Sequence, residues 1–182
     1  DFHNMPLLHL ASSAVALAAA LTFSTHAMSQ AASGSFAPLH HLAVDGVAEI
    51  ITATPDGLTL VYTSADAGAL GLVDINDPAR PVTLPRVDVR LGGVGEPTSV
   101  AVSPDGRYAV VALRMDDDVA NARRGFLRIY DIRQPRAVRH VKDVLIGIGP
   151  DSLALAGSGK TLRAIVAVED EETDAKGDAT PV

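Results

Sequence analysis

Apolar and polar residues fall into two regimes along this chain. From Leu7 to Phe23 the sequence is almost continuously apolar and small, reading Leu-Leu-His-Leu-Ala-Ser-Ser-Ala-Val-Ala-Leu-Ala-Ala-Ala-Leu-Thr-Phe. From Ile50 onward, apolar residues alternate at period 2, the spacing of strands with a covered face. Residues 49–54 lead into Pro55-Asp56-Gly57 and are followed by the alternating run 58–63. Residues 99–103 lead into Pro104-Asp105-Gly106 and then the run 107–112. A third copy runs from residues 152–156 through Gly157-Ser158-Gly159 to residues 160–167. Each predicts strand, tight turn, strand, because Pro presets φ early in the turn and Gly accepts the positive φ that closes it.

The spacing is regular: Gly57 to Gly106 is 49 residues and Gly106 to Gly159 is 53. A second punctuation keeps step with the first. Residues 70–75 end in Asp74-Ile75 before Asn76-Asp77-Pro78, and residues 127–132 end in Asp131-Ile132 before Arg133-Gln134-Pro135. These read as third strands, and Val82-Thr83-Leu84 and residues 137–141 as fourth strands. Four short antiparallel strands per repeat of about 40–55 residues is the pattern of a β-propeller blade, whose sheet buries both apolar faces only by stacking on its neighbours. No helical period is found after residue 35. The expected fold is all-β: an incomplete β-propeller of about three blades of four-stranded antiparallel sheet. The partial propeller spans 32–168, with repeats around 48–90, 97–143 and 150–168, and 169–182 reads as an acidic blade loop or frayed terminus. Rings usually close with about four to eight blades. This sequence therefore reads as a fragment of a longer polypeptide, or as a chain that needs further blades or self-association to close the ring.

The opening apolar run has a different meaning. Residues 1–31 carry one charge, Asp1, and all fifteen Lys and Arg residues lie later. Thr25-His26-Ala27 and Ser29-Gln30-Ala31 are small-x-small cleavage sites, so 1–31 reads as a signal peptide. The run departs from the usual signal in having no Lys or Arg before it. It falls short of the ~20 apolar residues of a bilayer span, and its Ala and Ser content suits removal better than anchoring. The expected destination is extracytoplasmic, periplasmic or secreted, with no integral membrane span after cleavage.

Composition then removes whole classes of function. The 182 residues hold 15 Lys and Arg against 22 Asp and Glu, a net charge of −7, which argues against a nucleic-acid backbone binder. Zero cysteines exclude disulfides, thiolate metal sites, a thiol nucleophile and a lipoprotein anchor.

Several motifs invite chemistry. Residues 154–161, ending Gly157-Ser158-Gly159-Lys160-Thr161, fit a loose phosphate-loop pattern with Ala154 in place of the first Gly. Such a loop needs a helix behind it, and the following residues 162–168 are β-branched and strand-like. The segment Gly92-Gly93-Val94-Gly95 lacks the third Gly of a dinucleotide fingerprint and reads as an inter-blade turn. Two acidic clusters occupy matching places after second strands: Asp116-Asp117-Asp118, and Glu169-Asp170-Glu171-Glu172 with Asp174 and Asp178. In register they emerge on one face, where carboxylates would suit Ca²⁺, although a solvated charge run is the plainer reading and no EF-hand spacing is present. The candidate cation ligands are Asp116, Asp117, Asp118, Glu169, Asp170 and Glu171; no other cofactor is implied and no catalytic residue is identified. His40 and His41 are adjacent and point apart in an extended chain, and His140 reads as a lone surface histidine. No serine lies in a Gly-x-Ser-x-Gly elbow. The run Arg114, Arg123, Arg124, Arg128, Arg133, Arg136, Arg139 and Lys142 is cationic without aromatics for base stacking, and reads as blade surface that offsets the acidic loops.

The repeat resembles exported bacterial propellers of the choice-of-anchor I family. Ala48-Glu49-Ile50 is similar to that family's blade opening. Residues 95–102, Gly-Glu-Pro-Thr-Ser-Val-Ala-Val, resemble its Pro-x-Ser-Val-Ala-Val strand, and Gly149-Pro150-Asp151-Ser152-Leu153 its Pro-Asp-Met-(Val/Leu) segment. The sequence departs at residues 166–172, where relatives read Val-Ala-Asn-Glu-Gly-Glu-Pro. The resemblance covers residues 39–182 and implies two readings. One is an extracytoplasmic binding or scaffold module engaging an unidentified ligand or protein through a propeller face. The other is the N-terminal part of a secreted phosphatase or phytase-like esterase, calcium-dependent if the acidic loops bind the ion. Relatives include alkaline-phosphatase-like proteins and phytase-like esterases, but their catalytic domain is not in these residues, so the activity does not carry over. Whether the chain is an enzyme stays open here.

Overall fold

A computed structural model describes residues 37–115 and 124–169. The fold is all-β, built from three antiparallel sheets, with no α-helix among the described residues. The first sheet orders β1 (Ala48–Ala53), β2 (Thr59–Ser64), β3 (Ala69–Asp74) and β4 (Val82–Thr83), and β5 (Val87–Asp88) also pairs with β3. The second orders β6 (Glu96–Val102), β7 (Tyr108–Arg114), β8 (Arg124–Asp131) and β9 (Arg139–Ile148). The third is the pair β10 (Pro150–Ala156) and β11 (Arg163–Val168).

The Pro-Asp-Gly turns form for the local reason that their residues provide. Gly57 and Gly106 take φ of 72° and 69°, and their amides donate to the carbonyls of Thr54 and Ser103, both at 2.8 Å. The residue before each Pro completes the turn. Thr54 Oγ1 donates to Asp56 Oδ1 at 2.6 Å and accepts from the Thr59 amide at 3.1 Å. Ser103 Oγ donates to Asp105 Oδ1 at 2.6 Å and accepts from the Tyr108 amide at 2.9 Å. The third hairpin closes differently, through a 3₁₀ turn at Gly159–Thr161, and runs directly into β11. Lys160 and Thr161 therefore precede a strand and not a helix.

The sheets pack through alternation. On β7, Ala109, Val111 and Leu113 face the first sheet, joining Val61, Leu70, Leu72 and Tyr130 in one core. Val110 and Ala112 of the same strand face the third sheet, where they meet Leu127 and Leu153. The middle sheet is thus covered on both faces, and its inner strand β6 lies beside both β1 and β10. The far sides are barer. Ile51 on β1 is 58% exposed and Ile165 on β11 is 55% exposed. On the outer side of the first sheet, Leu39, Leu42 and Val44 fold over Ile51, Tyr62 and Val73 around a cavity of about 510 Å³.

Two polar side chains tie neighbouring sheets together. Arg128 Nη1 donates to the carbonyls of Val89 and Arg90, both at 2.8 Å, joining β8 to the segment after β5. Thr98 Oγ1 donates to the Pro150 carbonyl at 2.7 Å, joining β6 to β10. Gly125 lies so close to the Pro150 ring that a Cβ there would overlap it.

Candidate functional site

The richest polar geometry lies where the third strands of the first two sheets turn into the fourth. Both turns use one scaffold. Asp74 and Asp131 end their strands, and their Oδ1 atoms accept from the amides two residues on, of Asn76 at 3.0 Å and of Arg133 at 3.1 Å. The amide of Arg80 bonds the Asp77 carbonyl at 2.9 Å, and that of Ala137 bonds the Gln134 carbonyl at 2.8 Å. These are Asx-type turns in which a short carboxylate takes the place of a backbone acceptor.

What hangs on the scaffold differs between the two. In the first turn Asn76 Nδ2 donates to Asp74 Oδ1 at 2.6 Å. In the second, Arg133 grips Asp131 with Nε to Oδ1 at 3.0 Å and Nη2 to Oδ2 at 2.6 Å, and Arg139 Nη2 reaches the same Oδ2 at 3.3 Å. The Arg133 bond, against the cost of desolvation, holds the Asp131 carboxyl far below the usual carboxylate range. Arg136 extends between the sheets toward Asp74, with Nη2 at 3.8 Å from Oδ2. Two cavities of about 470 and 490 Å³ open here, and Arg133, Gln134 and Ala137 line both.

A second cluster sits on the outer strands of the middle sheet. Arg128 Nε pairs with Asp143 Oδ1 at 2.9 Å, and His140 Nε2 lies 2.7 Å from the same oxygen. Residues three apart on a regular strand point to opposite faces. A β-bulge between Ile129 and Tyr130 leaves Val141 out of the ladder, so Tyr130 pairs with His140 while Ile129 pairs with Lys142. That single extra residue brings His140 and Asp143 together. Burial pushes the Asp143 carboxyl up, but the bonds from Arg128 and His140 outweigh it and leave it below the ordinary range. The Tyr130 ring meets His140 edge-on, with centroids 5.5 Å apart, and lies under the Arg128 guanidinium at 5.9 Å. Burial pushes the Tyr130 phenol up to about 12, and its hydroxyl is buried with no hydrogen-bond partner. His140 is exposed, as expected of a surface residue, but it is not alone: its ring is held by an acid and an aromatic.

Of the residues expected to hold a cation, Asp116, Asp117, Asp118, Asp170 and Glu171 lie outside the described residues. Glu169 is described; it follows β11 and its amide donates to the Gly149 carbonyl at 2.9 Å. The strands that lead to the two acidic segments, β7 and β11, end at the same edge. Arg114 pairs with Glu96, Val168 pairs with Pro150, and the Thr98–Pro150 bond joins those partners' strands. Among the described residues no three His, Asp or Glu side chains are arranged to hold a metal. His40 lines the apolar cavity on the first sheet.

The sequence of these sheets matches a known family. The choice-of-anchor I domain profile matches residues 49–181. The chain belongs to the choice-of-anchor I family. Among solved structures, this choice-of-anchor I chain is similar to a candidate 6-phosphogluconolactonase from Bacteroides uniformis, with TM-score 0.58 and 17% identity over 71% of this chain and 35% of that one. It is also similar to the hydrazine synthase of Kuenenia stuttgartiensis, with TM-score 0.50 and 24% identity over 67% of this chain and 30% of that one. These likenesses concern the fold alone, and the chain spans about a third of either structure. No curated protein matches the sequence. Among the described residues no helix is long and apolar enough to cross a membrane.

Sequence reasoning passed over the grouping of Arg133, Arg136 and Arg139, which it took for surface. The signal was available in the repeat itself, since the first turn carries Asn76, Ala79 and Val82 at those positions.

Proposed function

We propose that this choice-of-anchor I chain is an extracytoplasmic β-propeller module that binds a ligand or protein through the loops at one edge of its blades. The observation that carries the reading is the stacking of the sheets. A sheet whose strands send apolar side chains to both faces needs a sheet on either side, and the middle sheet has both. The exposed Ile51 and Ile165 put the same demand on the outer faces, which further blades of a longer polypeptide, or another copy, would meet. Export through residues 1–31 and loss of the leader after Ala31 complete the proposal. The test is expression with a periplasmic reporter fused after Val182. The expected outcome is reporter activity outside the cytoplasm and a mature N-terminus at Ala32; an intact leader in a cytoplasmic product would overturn the export reading.

The acidic segments enter this proposal as a Ca²⁺ site formed by Asp116, Asp117 and Asp118 together with Glu169, Asp170 and Glu171. Its support is that β7 and β11, the strands that precede the two segments in sequence, end at one edge. Millimolar calcium would then raise the melting temperature, whereas an unchanged melt would remove the ion from the proposal.

A further inference from the structure

The two third-to-fourth-strand turns form an internal control. They share their backbone hydrogen bonds, their terminal Asp and their Pro, so whatever those turns need in order to fold is present in both. The first turn meets the needs of Asp74 with a neutral amide, Asn76. The second places Arg133, Arg136 and Arg139 where the first has Asn76, Ala79 and Val82. The backbone geometry the two turns share therefore does not require guanidinium groups at these positions. The three arginines gather in a chain whose net charge is −7, against its overall sign.

Their placement is that of a receptor for negative charge. Arg133 is locked by the grip of its Nε and Nη2 on buried Asp131, which fixes the guanidinium plane and leaves the Nη1 side toward a ligand. Arg139 shares that carboxylate, and Arg136 reaches toward Asp74 of the first sheet. The Arg133, Arg136 and Arg139 side chains are 53%, 68% and 73% exposed; Arg133 lines both cavities, Arg136 the one between the two turns and Arg139 the one at the second turn. Asp131 and Asp74 offset two of the three charges and leave an excess of one. A guanidinium fork matches the oxygens of a phosphoryl or carboxylate group two at a time, a geometry a lysine cannot copy.

We propose that the two adjoining cavities at the second turn, which share Arg133 and are edged by Arg139 on one side and Arg136 on the other, bind a small polyanion carrying two or more clustered oxyanion groups. The site lies within the first two sheets, so it needs neither export nor a closed ring. It goes beyond the module role by assigning a place and a ligand chemistry.

The test is calorimetric titration of the full chain at low salt with sodium tripolyphosphate, citrate and acetate. The decisive variant gives the second turn the first turn's residues at these three positions: Arg133→Asn, Arg136→Ala and Arg139→Val. A charge-matched control removes three cations elsewhere, through Lys142→Gln, Lys160→Gln and Arg163→Gln. The expected result is saturable binding of tripolyphosphate or citrate, weakened at least about tenfold in the turn variant and little changed in the control. Tighter binding of tripolyphosphate assigns a phosphoryl ligand, and tighter binding of citrate a polycarboxylate. Equal losses in variant and control, acetate binding as tightly as either polyanion, or no saturable binding would overturn the proposal. Arg136→Ala alone carries the comparison if the triple variant loses its β-sheet circular dichroism, because its side chain makes only the 3.8 Å pairing with Asp74.

Discussion

Arg128 Nη1 lies 2.8 Å from the carbonyl oxygen of Val89, a bond between residues 39 apart that fastens the second sheet to the first. The Arg128 side chain is only 11% exposed, and its guanidinium also holds Asp143. Most contact between these sheets is apolar and has no direction, whereas this bond fixes one sheet's position along the other. Arg128→Met, which keeps the stem but not the fork, should lower stability by about 2 kcal/mol in urea denaturation. Arg128→Lys should recover little of it, since one ammonium cannot serve Val89, Arg90 and Asp143 together. Wild-type stability in the Lys variant would show that the fork geometry is idle.

Tyr130 offers the opposite case, a buried polar atom that nothing satisfies. Tyr130→Phe keeps the ring in the core it shares with Val111 and Leu72 and should change stability by less than about 1 kcal/mol, neutral or upward. At high pH the sign is fixed by linkage. The folded phenol holds its proton up to about 12, against an ordinary value near 10. Its contribution is therefore intact below pH ~10 and is lost as the pH rises through that window. The Phe variant should show a shallower alkaline decline in melting temperature.

Acid should act through carboxylates held below their usual range, Asp131 above all and Asp143 among the others. A depressed group stabilises the fold above its unfolded value, near 4, and that stability drains as the pH falls through the folded value. Melting temperature should hold from neutrality down to pH ~5 and drop below pH ~4. Asp131→Asn should melt lower at pH 7 and show a flatter acid limb. A curve parallel to wild type would clear Asp131 of the effect.

Gly106 isolates a backbone term. Its φ of 69° suits Gly, while a Cβ would meet only Pro55 Cδ, at an ordinary 3.5 Å. Gly106→Ala should cost about 1 kcal/mol from backbone strain alone, and Gly106→Asn less, since Asn tolerates the left-handed region better. Gly71 differs, because a Cβ there would strike the Tyr62 ring. Gly71→Ala should cost more, about 1–3 kcal/mol, in the same denaturation series.

How much was legible follows from how local each cause is. The Pro-Asp-Gly hairpins depend on four or five consecutive residues, and so the strands about them could be placed from sequence. The fourth strands were harder. Residues 137–141 mark only the start of β9, which runs to Ile148, and β5 pairs with β3 over just two residues. The His140–Asp143 pair depends on a bulge with no composition of its own, so period-2 counting sets them on opposite faces. The Arg133–Asp131 grip was hidden because a run of arginines looks like solvated surface until the repeats are laid side by side. Most of the expected cation ligands lie outside the described residues, so the geometry speaks only for Glu169.

The two-sided cover of β7 has a consequence for how that strand finds its place. A strand with one wet face is held in register by polarity, since a slip of one residue would turn its apolar side to water. On β7 the residues Ala109 to Leu113 are apolar without a break, so the same slip would trade one dry face for another. Alignment must then come from the strand's ends: Ser103 and Asp105 clasping the turn before it, and Arg114 paired with Glu96 after it. In this sheet a few polar residues at the margins hold a greasy ruler to its mark.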